Sequence, residues 1–483
     1  MQMNKTSPRS CLSAMLFVLF ATLAQPAAAQ SFRVQCPAQT TMHAKGTEPG
    51  QIKCQEIAGS DGYVTMGDGH QIYLFGFGPL SGLADIQAGK PGTQIASVFN
   101  APYDPAALAA PASTNAAMIE PAAIMNTGVL SANAPAPLIA IDEDDELFLT
   151  LSNVGMIMRP DLFEQHTVHF HGYPNASSFF DGVPDASVAI NIAGSFTYYY
   201  TAPDAGSYFW HCHIAPPEHL QMGMVGQLYV RPRQNRVAVG GDLSTALVAA
   251  NKISPLGVIA PAGYDGKGCR DILCTGQTPV PPLSAARAPG SVMYAYNDGD
   301  GSTRYDSEYP IQMMGFDPNF HYVGMTFNPE AFADMKDKYY LLSGRGYPDT
   351  VNTAGPISTL GSDGTSRPSQ PISSLITINK SAGKTRALLR ISNLSVTEFS
   401  TLATVGIPMT VIAQNARLLR DMAGNNLYYD TNSITMGGGE STDVILDASN
   451  TPVGTYFLYS TNLDHLSNDA ENFGGMMTEI VVQ

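Results

Sequence analysis

The sequence contains few charged residues and few histidines, cysteines and tryptophans for its length. Only 14% of its 483 residues are charged, and it has 10 histidines, 6 cysteines and a single tryptophan. The 25 Lys and Arg residues are outnumbered by 41 Asp and Glu residues, which gives a formal net charge of −16. An acidic chain repels nucleic acids and anionic membranes and attracts cations, so we expect no nucleic-acid partner. The acidic run at residues 142–146 is expected to be a solvated strand edge.

Long hydrophobic runs are also scarce, and the clearest one stands at the beginning of the chain. Lys5 and Arg9 precede CLSAMLFVLFATLA, which is followed by PAAAQ, a small-residue cleavage pattern that ends at Ala29. A basic start, a short apolar stretch and small residues before the cleavage point are typical of a secretory signal peptide. We therefore expect residues 1–29 to be removed together with Cys11, no membrane span, and a secreted or periplasmic protein.

The five remaining cysteines divide into two close pairs and one single residue. In an oxidising compartment, cysteines that lie close in sequence form disulfides. We therefore predict Cys36–Cys54 and Cys269–Cys274, the second of which closes the short loop CRDILC. Cys212 is left without a partner. An unpaired thiol in a secreted protein is buried and inert, reactive, or bound to a metal, and the histidines on both sides of Cys212 favour a metal.

The chain has an all-β character with two candidate domains. Short runs rich in Val, Ile, Tyr, Phe and Thr alternate with Gly, Pro, Asn and Asp clusters, which is typical of strands joined by turns. We predict a first domain at residues 30–235, a linker at 236–290 and a second domain at 291–483. The Ala/Pro-rich segment 106–137 is predicted to be a long loop, and GTSRPSQPISS, residues 364–374, an exposed loop of the second domain.

Six of the ten histidines fall within residues 166–219, in HTVHFHGYP and FWHCHIAPPEHLQMGM. Side chains alternate between the two faces of a strand. If both segments are strands, His166 lies on the face opposite His169 and His171. In the second segment, Cys212 lies on the face opposite His211 and His213. The remaining side chains of the two motifs then project the other way: His169, His171, His211 and His213. The pattern predicts two metal sites that back onto each other.

The first predicted site has the ligand types of a blue, type 1 copper centre. A cysteine thiolate and two histidines, with a weak axial methionine, form that electron-transfer site. Cys212, His166 and His219 provide the trigonal set, and either Met222 or Met224 provides the axial ligand. Zinc also binds cysteine and histidine, but tetrahedral zinc sites gain nothing from a methionine. We therefore expect copper.

The second predicted site consists of imidazoles only. Imidazole ligands suit a copper centre that must react with a small molecule. The peptide bonds that join Cys212 to His211 and His213 would provide a covalent route for electrons between the two sites.

These motifs resemble those of the multicopper oxidases, a family with the cupredoxin fold. HTVHFHG is similar to the family element H-x-x-H-x-H-G, and HCHIAPPEHLQMGM resembles H-C-H…H-x-x-x-G-M, with five residues instead of three before the last histidine. Further segments, such as AGSYFWHCH in the first half and GIPMTVIAQNARLL and GTYFLYST in the second, resemble the two plastocyanin-like domains. The resemblance implies two cupredoxin-like Greek-key β-sandwich domains and a laccase-like protein.

The resemblance also assigns a role to each ligand. It implies type 1 copper at His166, Cys212, His219 and Met224, where Met224 is preferred to Met222 because it follows Gly223 as in the family motif. It implies His169 for type 2 copper, and it implies His171, His211 and His213 for the type 3 pair.

The second domain departs from the family pattern. GTYFLYSTN aligned on GSYFWHCHI places Tyr459, Ser460 and Thr461 opposite His211, Cys212 and His213, so this domain lacks copper ligands. A family trinuclear cluster needs histidines from two facing domains, whereas this chain offers four from one domain. We therefore expect a homo-oligomer in which another subunit completes the cluster. The other histidines are expected to be ordinary ones: His43, His70, His321 and His465.

The resemblance implies a secreted copper-dependent oxidoreductase. Such an enzyme oxidises a small reducing substrate, here a phenol or a metal cation, by one electron at a time and reduces dioxygen to water. Cys212, His211 and His213 would carry the electrons. Three other functions remain open: a non-catalytic blue-copper electron carrier or copper-binding protein, a copper nitrite reductase-like enzyme, and a protein in which copper only stabilises the fold.

Overall fold

The computed structural model describes residues 32–46, 50–101, 121–172, 177–236, 293–298, 301–326, 331–421 and 425–483. The predicted signal peptide and the predicted Cys269–Cys274 disulfide lie outside these residues, as does the predicted linker beyond Arg236. Within the described residues, no helix is long and apolar enough to cross a membrane. The other predicted disulfide, Cys36–Cys54, is present.

The first half of the chain forms a sandwich of two sheets. Its strands are β1 (Ile52–Thr65), β2 (Gln71–Pro79), β3 (Gln94–Ile95), β4 (Ile139–Asp142), β5 (Glu146–Gly155), β6 (His169–Phe170), β7 (Ser195–Thr201), β8 (Gly206–His211) and β9 (Val225–Arg231). One sheet has the order β2-β1-β5-β7, with β3 paired to β1, and the other has the order β4-β9-β8-β6. Alternating apolar residues of both sheets, such as Leu149 and Tyr198 from one and Trp210 and Leu228 from the other, meet in a buried core.

The second half repeats this architecture. Its strands are β10 (Met293–Tyr294), β11 (Arg304–Tyr305), β12 (Ser307–Phe316), β13 (Tyr339–Leu342), β14 (Ile357–Leu360), β15 (Ser366–Gln370), β16 (Ile376–Ile378), β17 (Arg386–Asn393), β18 (Ser400–Val405), β19 (Met409–Gln414), β20 (Arg417–Leu418), β21 (Tyr429–Thr431), β22 (Ser433–Met436), β23 (Ser441–Asp447), β24 (Gly454–Ser460), β25 (Ser467–Asn468), β26 (Glu471–Asn472) and β27 (Met477–Val482). A sheet built around β19-β23-β17-β12-β13 packs on the sheet β16-β27-β24-β18-β22. The predicted all-β fold of two sandwich domains is therefore confirmed.

The helices are short. The α-helices are α1 (Leu83–Gln87), α2 (Ala96–Phe99), α3 (Pro121–Gly128), α4 (Pro216–Gln221) and α5 (Pro318–Thr326). The 3₁₀ turns are Ser178–Phe180, Arg233–Arg236, Phe332–Asp334, Asp349–Val351, Lys380–Ala382 and Leu463–Leu466. Helix α4 contains His219, and α5 from the second domain packs against β2 of the first domain.

The two domains share a buried interface on the β8 side of the first sandwich. An apolar cluster joins Leu74, Phe209 and Val225 of the first domain to Phe316 and Leu341 of the second. Polar contacts flank this cluster, because the Gln227 amide donates to the Arg390 carbonyl at 3.0 Å and the Ser207 hydroxyl donates to Asp443 at 2.6 Å. The interface therefore holds the second domain against β8, the strand that ends at His211.

Three expectations about exposed or irregular segments differ from the structure. The acidic run is not a solvated edge, because Glu143, Asp145 and Glu146 are buried and bonded to side chains and backbone groups of neighbouring segments. Residues 106–120 of the expected loop at 106–137 lie outside the described residues, and the described part includes helix α3. The expected exposed loop at 364–374 includes strand β15, which pairs with β14 and buries Gln370 against the first domain. For the acidic run and for β15, tertiary partners that local composition does not reveal satisfy the polar groups. Helix α3 instead buries Ala123 and Ile124.

Candidate metal centre

The first cluster lies in the core of the first domain and consists of three predicted ligands of type 1 copper. His166 precedes β6 and is held by a bridge to Ile190, Cys212 follows the end of β8, and His219 lies in helix α4. One ligand atom from each of the three residues lies within 4.8 Å of the others, and all three residues are fully buried. The Cys212 Sγ atom is 3.9 Å from His166 Nδ1 and 3.3 Å from His219 Nδ1.

Helix α4 explains how the unusually long spacing before His219 is accommodated. Pro216 and Pro217 stand at its first positions, where a missing N–H and a fixed φ favour helix initiation. The backbone N–H of His219 donates to the Ala215 carbonyl at 3.1 Å, so the ring is placed one turn into the helix. The two extra residues therefore form part of a helical turn that directs His219 towards Cys212.

Both candidate axial methionines are buried in the same core, but their backbone contacts differ. The Met224 carbonyl accepts the Cys212 N–H at 3.1 Å, and the Met224 N–H donates to the His219 carbonyl at 2.9 Å. The Met222 N–H instead donates to the Glu218 carbonyl within helix α4. The backbone of Met224 is thus tied to two of the three other predicted ligands, whereas that of Met222 is bonded within helix α4.

The electrostatics of the first cluster favour a thiolate. Burial by itself would raise the pKa of the Cys212 thiol, but His219 and His166 lower it well below its ordinary value by charge and hydrogen bonding. Burial would lower the pKa of His219, whereas the thiolate and Glu164 raise it to about 9. The Thr167 N–H also points at the sulfur, at 3.4 Å. A thiolate with two imidazoles, in a dry site, is a donor set that fits copper.

A carboxylate that the sequence analysis did not single out lies beside His219. Glu164 Oε2 is 3.7 Å from His219 Nε2, and the Glu164 side chain is 29% exposed whereas that of His219 is 1% exposed. The nearby His219 ring lowers the pKa of Glu164. Glu164 stands two residues before His166, so the strand alternation that paired the histidines could also have identified it.

The second cluster lies on the other side of the HCH motif. His169, His171 and His211 bring ring nitrogens within 4.8 Å of one another, and the Nε2 atoms of His171 and His211 are 2.9 Å apart. Strand pairing explains this arrangement, because β6 and β8 are antiparallel with His169 directly opposite His211. These three rings lie together on one side of the HCH motif, although β6 has only two residues and β8 ends at His211.

Backbone carbonyls orient two of these rings. His169 Nδ1 donates to the Asp181 carbonyl at 2.6 Å, and His211 Nδ1 donates to the Cys212 carbonyl at 2.6 Å. Each bond places the ring proton on Nδ1 and leaves Nε2 free to bind a metal. Burial, with the neighbouring histidines, lowers the pKa of His171 to about 4 and that of His211 to about 3. Both rings are therefore neutral near pH 7, as metal ligands must be.

His213 and a turn of the second domain border this cluster. The His213 ring centroid is 5.0 Å from that of His169 and 5.6 Å from that of His211, and the His213 N–H donates to the Thr167 hydroxyl at 2.9 Å. His213 thus adjoins the three-histidine group without joining it. On the other side, a Cβ atom at Gly439 would lie 3.0 Å from His171 Nδ1.

The four scattered histidines have structural partners. His43 contacts Glu146 at 2.5 Å, His70 contacts Asp68 at 2.8 Å, and His465 contacts Glu398 at 2.9 Å. His321 Nδ1 is 2.5 Å from the Tyr73 carbonyl and its Nε2 is 2.9 Å from the Gln221 carbonyl. Among the described residues, the groups of three or more His, Cys, Asp or Glu side chains that could hold a metal ion all belong to the first domain.

Comparisons with known proteins point to one family. A family model described as multicopper oxidase matches residues 116–235, and a second one with the same description matches residues 332–481. Together they cover more than half of the chain. The first match contains both histidine motifs.

Curated relatives match only part of their own length. The chain is 32% identical over 104 residues to the laccase abr2 of Aspergillus fumigatus. This aligned region is 21% of this chain and 16% of that protein. The chain is also 31% identical over 152 residues to the multicopper oxidase MmcO of Mycobacterium tuberculosis. That aligned region is 29% of this chain and 29% of that protein.

Solved structures support the fold over most of the chain. The structure is similar to the blue copper oxidase from Nitrosomonas europaea, with a TM-score of 0.50 and 16% identity over 89% of this chain and 85% of that one. It is also similar to the multicopper oxidase mgLAC, with a TM-score of 0.51 and 15% identity over 89% and 86% of the two chains. The predicted cupredoxin-like character of both sandwiches is therefore confirmed.

Proposed function

The chain belongs to the multicopper oxidase family, and we propose that it is a copper-dependent oxidoreductase that takes single electrons from a small reducing substrate and delivers them to dioxygen. The observation that carries this proposal is the back-to-back arrangement of the two clusters. Cys212 belongs to one cluster, and its neighbour His211 belongs to the other, so both sites are joined by one peptide bond. Copper, when bound, would supply the one-electron redox chemistry.

The chain's own groups have separate roles in this proposal. His166, Cys212, His219 and Met224 would hold type 1 copper in a site from which burial excludes water. His169, His171, His211 and His213 would hold the copper ions that face dioxygen. The hydrogen bond from His211 Nδ1 to the Cys212 carbonyl gives a second connection between the two sites. This route from the Cys212 sulfur to the His211 ring has fewer bonds than the route through the peptide bond.

The reducing substrate would bind on the Glu164 side of His219. His219 itself is buried, and the Glu164 carboxylate beside it reaches solvent. Glu218, the residue before His219, is close enough for the charge of Glu164 to raise its pKa, although burial is the larger cause. Two neighbouring carboxylates attract a cation, and they favour a metal cation over an anionic organic reductant. A neutral phenol remains compatible with this surface.

The proposed oxygen chemistry depends on a second subunit. One chain supplies four histidines around the second cluster, and His171 is solvent-exposed. Identical first domains that meet across a two-fold axis would present the same patch twice, as an isologous interface must. Such a pair would bring four histidines from each subunit to one site. We therefore propose a homo-oligomer of a secreted or periplasmic protein.

The proposal is tested by counting copper and measuring oxygen uptake on one sample. The oxidase proposal expects more than one copper per chain, an intense blue colour, and oxygen consumption driven by Fe(II) or a phenol. A non-catalytic blue-copper carrier would hold one copper per chain and consume no oxygen. That carrier is the second candidate, because the first cluster is complete within one chain whereas the second is open to solvent.

A further inference from the structure

Helix α4, which carries His219, is too short to hold its position by itself. It has six residues, Pro216–Gln221, and isolated helices of this length are unstable in water. The position of α4 therefore depends on what its residues contact. Its last residue, Gln221, is completely buried and stands two positions after His219.

The polar groups of Gln221 contact the second domain. Its Oε1 atom accepts the backbone N–H of Asp317 at 3.0 Å, and its Nε2 atom donates to Asp337 Oδ1 at 2.9 Å. Its carbonyl oxygen lies 2.9 Å from His321 Nε2. These three partners are buried as well. Because a buried polar group that loses its partner is costly, the contacts tie the end of α4 to the second domain.

Two of these partners are themselves held in place. His321 Nδ1 lies 2.5 Å from the Tyr73 carbonyl of β2, so the ring bridges β2 and α4. Asp337 Oδ2 accepts the Thr397 hydroxyl at 2.5 Å, while its other oxygen faces Gln221. The second domain therefore presents oriented groups to the end of α4.

We propose that Gln221, His321 and Asp337 are positioning residues for the type 1 copper site. Through them the second domain, which carries none of the predicted copper ligands, sets the orientation of helix α4 and of the His219 ring. This inference rests on the type 1 assignment of the proposed function. The visible spectrum and the reduction potential of such a site depend on the geometry of its ligands and on the groups that orient them. Loss of the contacts at Gln221 lets α4 shift and changes both properties.

The test compares two buried glutamines at the domain interface. Gln227 is also completely buried, and its Nε2 atom donates to the Arg390 carbonyl at 3.0 Å and to the Ser392 hydroxyl at 2.7 Å. It lies in β9 and not in α4. Gln221→Leu and Gln227→Leu both remove hydrogen bonds between the domains at nearly constant volume. We expect only Gln221→Leu to shift the reduction potential and the visible band of the copper-loaded protein. Equal shifts in both variants, or no shift in Gln221→Leu, would overturn the proposal.

Amide hydrogen exchange of the full-length protein provides a readout that does not need the blue colour. The N–H of His219 donates to the Ala215 carbonyl, and the N–H of Met222 donates to the Glu218 carbonyl. Both amides should exchange at least tenfold faster in Gln221→Leu than in Gln227→Leu, because local opening of α4 becomes easier. A colourless wild type would refute the type 1 assignment, whereas equal exchange in the two variants would refute the clamp on α4.

Variants of the second domain test the same contacts from the other side. Asp337→Asn keeps an acceptor for Gln221 Nε2 and should retain the wild-type potential, whereas Asp337→Leu should shift it. His321→Phe keeps a ring but removes both nitrogens, and it should shift the potential as well. These variants test the proposal even if Gln221→Leu folds poorly. Equal potentials in the two Asp337 variants, or a wild-type potential in His321→Phe, would show that these residues do not position the copper site.

Discussion

Cys212 is the residue that connects the two clusters. Its sulfur lies near His166 and His219, its carbonyl accepts the ring proton of His211, and its N–H donates to the Met224 carbonyl. A side chain change at Cys212 therefore alters the first cluster while the backbone contacts to the second cluster remain.

Replacing Cys212 by serine should abolish the blue colour. The intense visible band of type 1 copper needs the thiolate, and a hydroxyl at the same position is a much poorer ligand for this centre. Absorption spectra of copper-loaded wild type and Cys212→Ser would measure the loss, and circular dichroism would confirm that the variant folds. A wild-type protein that binds copper and stays colourless would contradict the type 1 assignment.

The two buried methionines allow a matched comparison at the same scale. Met224→Leu should shift the visible band and the reduction potential more than Met222→Leu, because only Met224 is bonded through its backbone to both Cys212 and His219. Both variants remove one sulfur from the same core, so packing losses are similar. A larger spectral change in Met222→Leu would reverse the axial assignment.

At the scale of elements, the turn after β22 brings the second domain against the second cluster. Gly439 has a φ of +84°, and a Cβ atom there would meet His171 Nδ1 at 3.0 Å and Cε1 at 3.1 Å. Its N–H donates to the Asn393 carbonyl at the end of β17, which fixes the turn against the core. The turn therefore limits the positions that the His171 ring can take.

Gly439→Ala should lower the copper content of the second cluster and leave the blue colour intact. The added methyl group displaces His171, which belongs only to the second cluster. Copper analysis and visible spectra measure the two effects separately. Gly383→Ala is the control for backbone strain, because Gly383 has a φ of +73° and no atom within 4 Å of the added carbon. Equal copper loss in both variants would mean that strain, and not contact with His171, is responsible.

At the scale of the whole molecule, a buried ion-pair network joins the domains. The Glu308 carboxylate accepts hydrogen bonds from Arg231 of the first domain at 2.7 Å and from Arg390 of the second domain at 2.8 Å. Burial alone would raise the pKa of Glu308, but the two guanidinium groups lower it to about 2. The network therefore stabilises the fold as long as Glu308 is ionised.

Acid should weaken this network in a defined pH range. The native pKa of Glu308 lies below its ordinary value of 4.5, so the unfolded chain binds a proton first and the stabilisation is lost as the pH falls from 4.5 towards 2. Glu308→Gln should lower the free energy of unfolding at pH 7 and flatten its decline in this range. Denaturant unfolding at several pH values measures both. Glu471→Gln, at an exposed position, should behave like wild type, and an equally steep decline in Glu308→Gln would rule out this role.

Oxygen reduction should require self-association. Light scattering and copper analysis of the same sample should show an oligomer with more than one copper per chain. His169→Ala should then remove oxygen reduction but not the blue colour, because His169 belongs to the second cluster alone. A strict monomer with one copper per chain that still reduces dioxygen to water would refute the shared cluster.

The sequence by itself determined the fold class and the composition of the first cluster. Ligand type and strand alternation are local properties, so HTVHFHG and HCH indicate which side chains face the same way without knowledge of the rest of the chain. Tertiary structure decided what is close across long sequence separations. It placed Glu164 beside His219 and Gly439 beside His171, and it buried the acidic run. These contacts depend on how sheets and domains pack, and residue spacing along one segment carries no information about that packing.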